Sequence, residues 1–210
     1  QAFPESGWFR FDHGAITIFW HVSQSNMIHR ATHGHADLCS FVLFHKGKPI
    51  VIDPGRLTYQ DNQGCLAKHH NSLTVDGLDP FLYDRSQKFP PFYQNRFSKC
   101  DWKQVDRKFT FLISHTGFER LKGDHIYHTR LFRVGDGFLE IEDQLRGSGV
   151  HYVEMFFHQA PGVKLTAMIN HSKDGAKEVD SWTSPQYGAT IATSTLTIKL
   201  KQQFPVEGQI

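Results

Sequence analysis

The sequence predicts an all-β fold: an antiparallel β-sandwich of two sheets, jelly-roll-like or supersandwich-like in its strand order. Three observations predict it. After Arg96 the chain alternates short β-rich runs with glycine turns such as Gly135-Asp136-Gly137 and Gly147-Ser148-Gly149. Aromatic residues make up 13% of the chain, with 18 Phe, and such side chains suit a pleated, half-buried surface. No stretch sustains a 3.6-residue apolar period, so long helices have no place.

The 210 residues fit a single domain spanning 1–210, and 39% hydrophobic content can build a core without disulfides. Charged residues are 21% and the formal net charge is +2, a balance that argues for neither nucleic acid nor a membrane surface as partner. No apolar run approaches transmembrane length. The first residues, Gln1-Ala2-Phe3-Pro4-Glu5, carry no basic or apolar signal region, so an export signal would lie upstream. Cys39, Cys65 and Cys100 follow no zinc or CxxC spacing and read as plain buried or half-buried thiols. Fourteen histidines are the outlier. Scattered ones such as His45, His115 and His171 read as strand or surface residues.

In chain order, Ser6 to Phe11 is a short strand and Ala15 to His21 a β-rich run, with a turn at Asp12-His13-Gly14. Residues 23–30 form a polar linker. Cys39 to His45 and Pro49 to Ile52 form a hairpin around Lys46-Gly47-Lys48. Ser72 to Val75 is a strand closed by Asp76-Gly77. Residues 78–93 are broken by Asp79-Pro80 and Pro90-Pro91. Further strands are expected at 98–105, 108–115, 126–134, 138–145, 150–157, 163–168, 177–183 and 189–200. From Gln202 the tail reads as loose.

The chemistry concentrates in Ala31-Thr32-His33-Gly34-His35-Ala36-Asp37, with Asp53-Pro54-Gly55 and His69-His70-Asn71 downstream. An antiparallel hairpin brings its open ends together. His35 lies just before it and Asp53 just after it, so the two should be neighbours in space. Side chains two apart on an extended segment share a face, so His33 and His35 point to one side. Two imidazoles and a carboxylate suit zinc, with water or substrate in a fourth position. His35, Asp53 and His70 are the candidates. His33 and Asp37 compete as ligands, and the plainer alternative is a loop cap beside an ordinary Asp-Pro-Gly turn.

Several motifs in this order resemble one family. They are Ser6-Gly7-Trp8, His33 through Phe41, Gly47 through Gly55, Tyr59, and His70-Asn71-Ser72-Leu73-Thr74-Val75-Asp76-Gly77. Arg130-Leu131-Phe132, Ile141-Glu142-Asp143 and Phe156-Phe157-His158 continue the likeness. Together they are similar to the C-terminal domain of the heparinase II/III-like polysaccharide lyases. The resemblance implies a longer enzyme, in which an N-terminal α/α toroid packs on this sandwich and an acidic, uronate-containing polysaccharide is cut by β-elimination. Heparan-type, alginate-type and capsular uronates all suit that chemistry.

Carried onto this chain, the resemblance implies a divalent metal, zinc first, on His35, Asp53 and His70, with His33 as the active-site histidine. Arg56 and Tyr59, between the ligand segments, become candidate substrate-binding residues. The toroid would supply the catalytic tyrosine, so this chain alone is expected to be inactive, and a periplasmic or secreted location is expected. Two other readings stand beside it. One is a non-catalytic carbohydrate-binding or structural sandwich, for which the run Phe81, Tyr83, Phe89, Phe92 and Tyr93 could stack sugars. The other is a cupin-like metal enzyme, which the lack of a glutamate soon after the HxH motif disfavours.

Overall fold

A computed structural model describes residues 1–22, 35–58, 60, 63–80, 99–105, 108–118, 121, 126–165 and 175–204. The expectations for His33, Tyr59, His171, the 23–30 linker and the aromatic run at 81–93 lie outside these residues. The strands are β1 (Ala2–Phe3), β2 (Trp8–His13), β3 (Ile16–His21), β4 (Phe41–His45) and β5 (Lys48–Val51). After these come β6 (Leu73–Val75), β7 (Lys99–Val105), β8 (Lys108–Phe118), β9 (Ile126–Gly135) and β10 (Phe138–Arg146). The last are β11 (Gly149–His158), β12 (Ala176–Thr183) and β13 (Ile191–Phe204). All pairings between them are antiparallel, as the turn spacing predicts.

Among the described residues the strands form three hydrogen-bonded sheets. Their orders are β1-β2-β3-β4-β5, β10-β9-β8-β7 and β12-β13-β11-β6. The middle sheet accounts for the third layer edge. β8 and β9 are 11 and 10 residues long, and strands of that length twist enough to face two partners in turn. Their inward side chains divide accordingly. Phe109, Phe111, Ile113, Phe132 and Val134 pack against Phe9, Ile18, Trp20 and Phe41 of the five-stranded sheet. Phe118 and Ile126, with Leu145, pack against Leu73, Val75, Val153 and Phe204 of the third sheet. The inward positions between those two apolar clusters are His115, His128 and Arg130, all buried.

The hairpin predicted before Asp53 forms, with His45 opposite Lys48. Its loop is Lys46-Gly47, with φ of 50° and 75°. Two consecutive left-handed residues give the turn whose twist matches the flanking strands. A register shift falls between Leu43 and Phe44, and Pro49, which has no N–H, sits opposite Phe44. At the far end, Ile52 N–H donates to His158 O and Ala160 N–H to Ile50 O, so β5 ends against the end of β11.

Two expectations are corrected. The stretch from Val163 to Leu165 is not a strand; 166–168 lie outside the described residues. The Val163 N–H closes a turn on Ala160 O, and the Leu165 N–H is taken by the Gln159 side chain, so neither is free for a ladder. The tail is not loose from Gln202, because β13 runs on to Phe204. Phe204 is fully buried and stacks on His151 at 5.2 Å between ring centroids, and that burial holds the last turn of the strand in place.

Asp76 closes β6 with a φ of 52°. Its carboxylate accepts from the Tyr152 N–H at 2.9 Å and from His151 Nδ1 at 2.7 Å. His151 Nε2 donates to Ser148 O at 2.8 Å. Both ring nitrogens therefore face acceptors.

The core makes a direct prediction. Trp20 is 1% exposed and lies 4.5 Å from Phe111 and 5.3 Å from Phe132, centroid to centroid. Trp20→Ala should cost about 3–5 kcal/mol in urea unfolding. Trp20→Phe should cost much less, since among the described residues Nε1 donates no hydrogen bond that would be lost.

Candidate metal centre

The site forms where the open end of the β4–β5 hairpin meets the chain entering β6. His35 precedes the hairpin, Asp53 follows it, and His70 ends a short 3-10 turn at Ala67–His69. The Ala67 N–H is held by the Asp79 carboxylate at 2.9 Å, which anchors the start of that turn. Asp53 is held by its own turn. The Gly55 N–H donates to Asp53 Oδ1 at 3.0 Å. Gly55 has φ 76°, and a Cβ there would lie 2.6 Å from Ser184 O, so the turn packs on backbone as closely as only glycine allows.

The structure brings together the three residues that the sequence grouped. His70 Nδ1 donates to Asp53 Oδ2 at 2.8 Å, and the His35 and His70 rings lie 5.1 Å apart, tilted by 36°. His70 is 2% exposed, and its Nε2 is buried with no hydrogen-bond partner among the described residues. In the neutral ring, with Nδ1–H given to Asp53, that Nε2 presents a bare lone pair, an expensive group to bury unless something binds it. Asp53 lies on the Nδ1 side and orients the ring, as a carboxylate behind a metal-binding imidazole does, while Nε2 with the His35 imidazole alongside offers an edge a divalent metal could use.

Electrostatics agree with the geometry. Burial alone would lower the His70 pKa, but the Asp53 carboxylate outweighs it and the net shift is upward. Burial likewise works against Asp53, and the His70 hydrogen bond brings its pKa below the usual carboxylate range. His35 is pushed down, first by burial and then by the nearby His70 charge, which favours the neutral, ligating form. Arg56 lies close enough to His35 to add to that depression, and its Nε donates to Thr58 O at 2.9 Å. Asp37 is near enough to act on both histidines by charge, and among the described contacts its carbonyl accepts the Ser40 N–H at 2.9 Å.

Asn71, adjacent to His70, makes the contacts that hold the site together. Its Nδ2 donates to Phe41 O at 2.7 Å and to Ile52 O at 2.9 Å, and its Oδ1 accepts the His158 N–H at 2.7 Å. One fully buried amide thus ties β4, the end of β5 and β11. His158 is held at both ring nitrogens: Nε2 donates to Lys68 O and Nδ1 accepts from Thr195 Oγ1, while burial pushes its pKa down to about 4.

Sequence reasoning missed a second cluster. Cys39, His115 and His128 are buried and place their ligand atoms within 4.8 Å of one another, close enough to hold a metal. Hydrogen bonds already occupy the nitrogens. Asp143 accepts from His128 Nε2 at 2.7 Å, His128 Nδ1 accepts from His115 Nε2 at 2.9 Å, and His115 Nδ1 accepts the Gly117 N–H at 3.1 Å. Every proton in that chain has one place, with both rings neutral. Burial pushes the Cys39 thiol far up, which disfavours the thiolate a metal needs. His115 had read as an ordinary strand residue; the alternation that turns His128, Arg130 and Asp143 inward on β9 and β10 was the available signal. The three cysteines are free thiols, Cys39 and Cys65 buried and Cys100 partly so.

A wide cavity of about 940 Å³ lies on the outer side of the third sheet. Lys68, His69, Lys177, Trp182 and Lys199 are among its lining residues, and His69 lies 5.6 Å from Trp182 between ring centroids. His69 and its neighbour His70 thus serve opposite sides of the same turn.

The pair at the centre sets a pH dependence. The raised His70 contributes stability fully below about pH 6.5, its ordinary value, and loses it as pH rises through the raised value. The depressed Asp53 contributes fully above about pH 4 and loses it as pH falls through the depressed value. With a chelator present, the thermal midpoint of the wild type should therefore fall on both sides of that window, and Asp53→Asn should flatten the dependence. An unchanged profile in Asp53→Asn would remove the pair from the stability of the fold.

Across residues 1–208 the sequence matches the family model described as Heparinase II/III-like, C-terminal. No curated protein matches it in sequence. Among solved structures, a heparinase III described as the BT4657 gene product superposes with a TM-score of 0.68 at 16% identity, covering 96% of this chain and 33% of that one. The heparan sulfate lyase HepC from Pedobacter heparinus gives a TM-score of 0.68 at 14% identity, covering 95% and 33%. At those identities the likeness to the two enzymes is one of fold, and the chain spans about a third of their length. Both the order of its motifs and the matched model place the chain in one family: it belongs to the heparinase II/III-like C-terminal domains.

Proposed function

We propose that this chain is the C-terminal, metal-supported sandwich of a polysaccharide lyase that cleaves uronic-acid-containing polysaccharide by β-elimination. The buried Nε2 of His70, without a partner among the described residues, carries the reading, with His35 alongside it and Asp53 on its other nitrogen. His35 and His70 would supply nitrogens to a divalent metal, zinc first, with Asp53 as the third residue of the set fixing the His70 ring through Nδ1, and the metal's charge would lock the loops that bear them. The metal's part is support of the site; the elimination itself is proton chemistry. A base takes the C5 proton, the C4–O bond to the neighbouring sugar breaks, and an acid protonates the departing oxygen.

His33, two residues from His35, is the candidate to meet the substrate. An imidazole can neutralise the uronate carboxylate, which acidifies C5, or move a proton. Arg56, beside His35, offers a guanidinium suited to a carboxylate, and Tyr59 follows it as a second candidate contact. The base and the remaining carboxylate grip would come from an N-terminal toroid in a longer chain, in keeping with the share of the lyase structures that this chain spans. Glycosaminoglycan-type uronates are the first substrates to try, alginate the next. A substrate of that size calls for export to the periplasm or secretion.

Metal analysis tests the core of the reading. The purified chain, after exposure to zinc, should hold about one equivalent, and His35→Ala and Asp53→Ala should each lose it. A wild type without stoichiometric metal refutes the metal support. In the longer enzyme, His33→Ala should lower lyase activity on a uronate panel by roughly 10²–10⁴ with metal content unchanged. The 210-residue chain alone should produce no unsaturated-uronide absorbance.

A second reading, a carbohydrate-binding sandwich, draws on the cavity around Trp182 and His69, since an aromatic face with nearby lysines suits an acidic sugar. Calorimetry with acidic oligosaccharides decides it. Binding by the isolated chain that Trp182→Ala abolishes and His35→Ala leaves intact favours this reading.

A further inference from the structure

We propose that Arg130 is a positioning residue for the candidate metal centre, acting through the backbone carbonyls of Cys39 and Asn71. Its place on β9 is set by register: Arg130 lies opposite Asp143 on β10 and opposite Ile113 on β8, at the boundary of the two apolar clusters. The side chain is fully buried. Nε and Nη2 donate to the two Asp143 oxygens at 2.7 and 3.0 Å, a bidentate pair that fixes the plane of the guanidinium. The remaining edge is then aimed at the site. Nη1 donates to Asn71 O at 2.6 Å and to Cys39 O at 3.1 Å.

Those two carbonyls belong to the two segments that carry the histidines. Asn71 follows His70 directly. Cys39 ends the loop that begins at His35, and its φ of 61°, left-handed for a residue with a Cβ, turns the loop into β4. The same two segments are stitched at three other points. Ala36 N–H donates to Cys65 O at 2.7 Å, Ser72 Oγ to Leu38 O at 2.6 Å, and Asn71 N–H to Ser40 Oγ at 3.1 Å. Arg130 is the group that reaches both from outside and fixes them to the middle sheet.

Asp143 is itself held by His128, and His128 by His115, so the guanidinium cannot swing without breaking a chain of cross-strand bonds. A lysine could meet Asp143 or one carbonyl but lacks the planar fork that serves all three at once. The distance between His35 and His70 therefore depends on a residue that touches neither.

This role rests on His35, Asp53 and His70 being the metal centre, so the test carries one readout with metal and one without. Arg130→Lys is compared with Phe9→Ala, a core truncation that lowers stability away from these segments. In Arg130→Lys, zinc affinity by chelator competition should fall at least about ten-fold, and the visible spectrum of the cobalt-loaded protein should change. In chelated protein, the His70 Nδ1 proton held by Asp53 should exchange faster by NMR. Phe9→Ala should keep wild-type values for all three despite a lower thermal midpoint. An Arg130→Lys chain with wild-type zinc affinity, cobalt spectrum and ring-proton exchange overturns the proposal. Should the wild type bind no metal, the metal reading fails, and the ring proton alone then decides whether Arg130 positions His70.

Discussion

The constraint on which this structure depends is the satisfaction of backbone groups where two sheets end against each other. β4 starts and β5 ends beside β6 and β11, and a buried carbonyl or N–H at such a junction costs about 1–3 kcal/mol if it is left unpaired. Asn71 answers most of it with one amide, which donates twice and accepts once across three elements. Arg130 answers the rest from the middle sheet. An apolar side chain would fill the space but take away these partners from three backbone groups at position 71 and from two at position 130.

That solution places the candidate metal centre. His70 is adjacent to the amide that joins the sheets, so its ring is as well located as the junction itself. The histidine chain behind Arg130 adds stiffness without adding a free charge. Burial would raise the Asp143 pKa, yet Arg130 and His128 hold it well below the ordinary carboxylate range. Burial keeps His128 and His115 neutral, more strongly for His115, which has no carboxylate of its own. A buried ion pair of this kind is poor evidence for stability, because its desolvation offsets much of its attraction. Its clearer effect is geometric: the guanidinium has one orientation in which all its partners are met.

Much of this was legible in the sequence, and for definable reasons. The glycine turns and period-two strands announced the sandwich, and hairpin topology alone carried Asp53 towards His35. His70 was separable from His69 by the family resemblance, in which the candidate ligand stands directly before the asparagine. What was not legible depended on register between distant strands. Arg130 faces Asp143, and His115 faces His128, only because β8, β9 and β10 pair as they do. Each residue alone reads as an ordinary polar member of an alternating strand. The third sheet was hidden for the same reason: nothing local to β8 or β9 says that one long twisted face will serve two partners. Val163 to Leu165 read as a strand because a side chain's claim on the Leu165 N–H leaves no mark in a pattern of apolar residues.

The outer strands of two sheets have a consequence for how this domain can be joined to anything else. β7 and β10 border the middle sheet, and β12 borders the third. β7 carries Lys99, Asp101 and Lys103, β10 carries Glu140 and Glu142, and β12 carries Lys177, Glu178 and Asp180. A foreign strand added to any of these borders would have to strip water from closely spaced charges of both signs. The borders therefore act as gatekeepers against fibril-like growth.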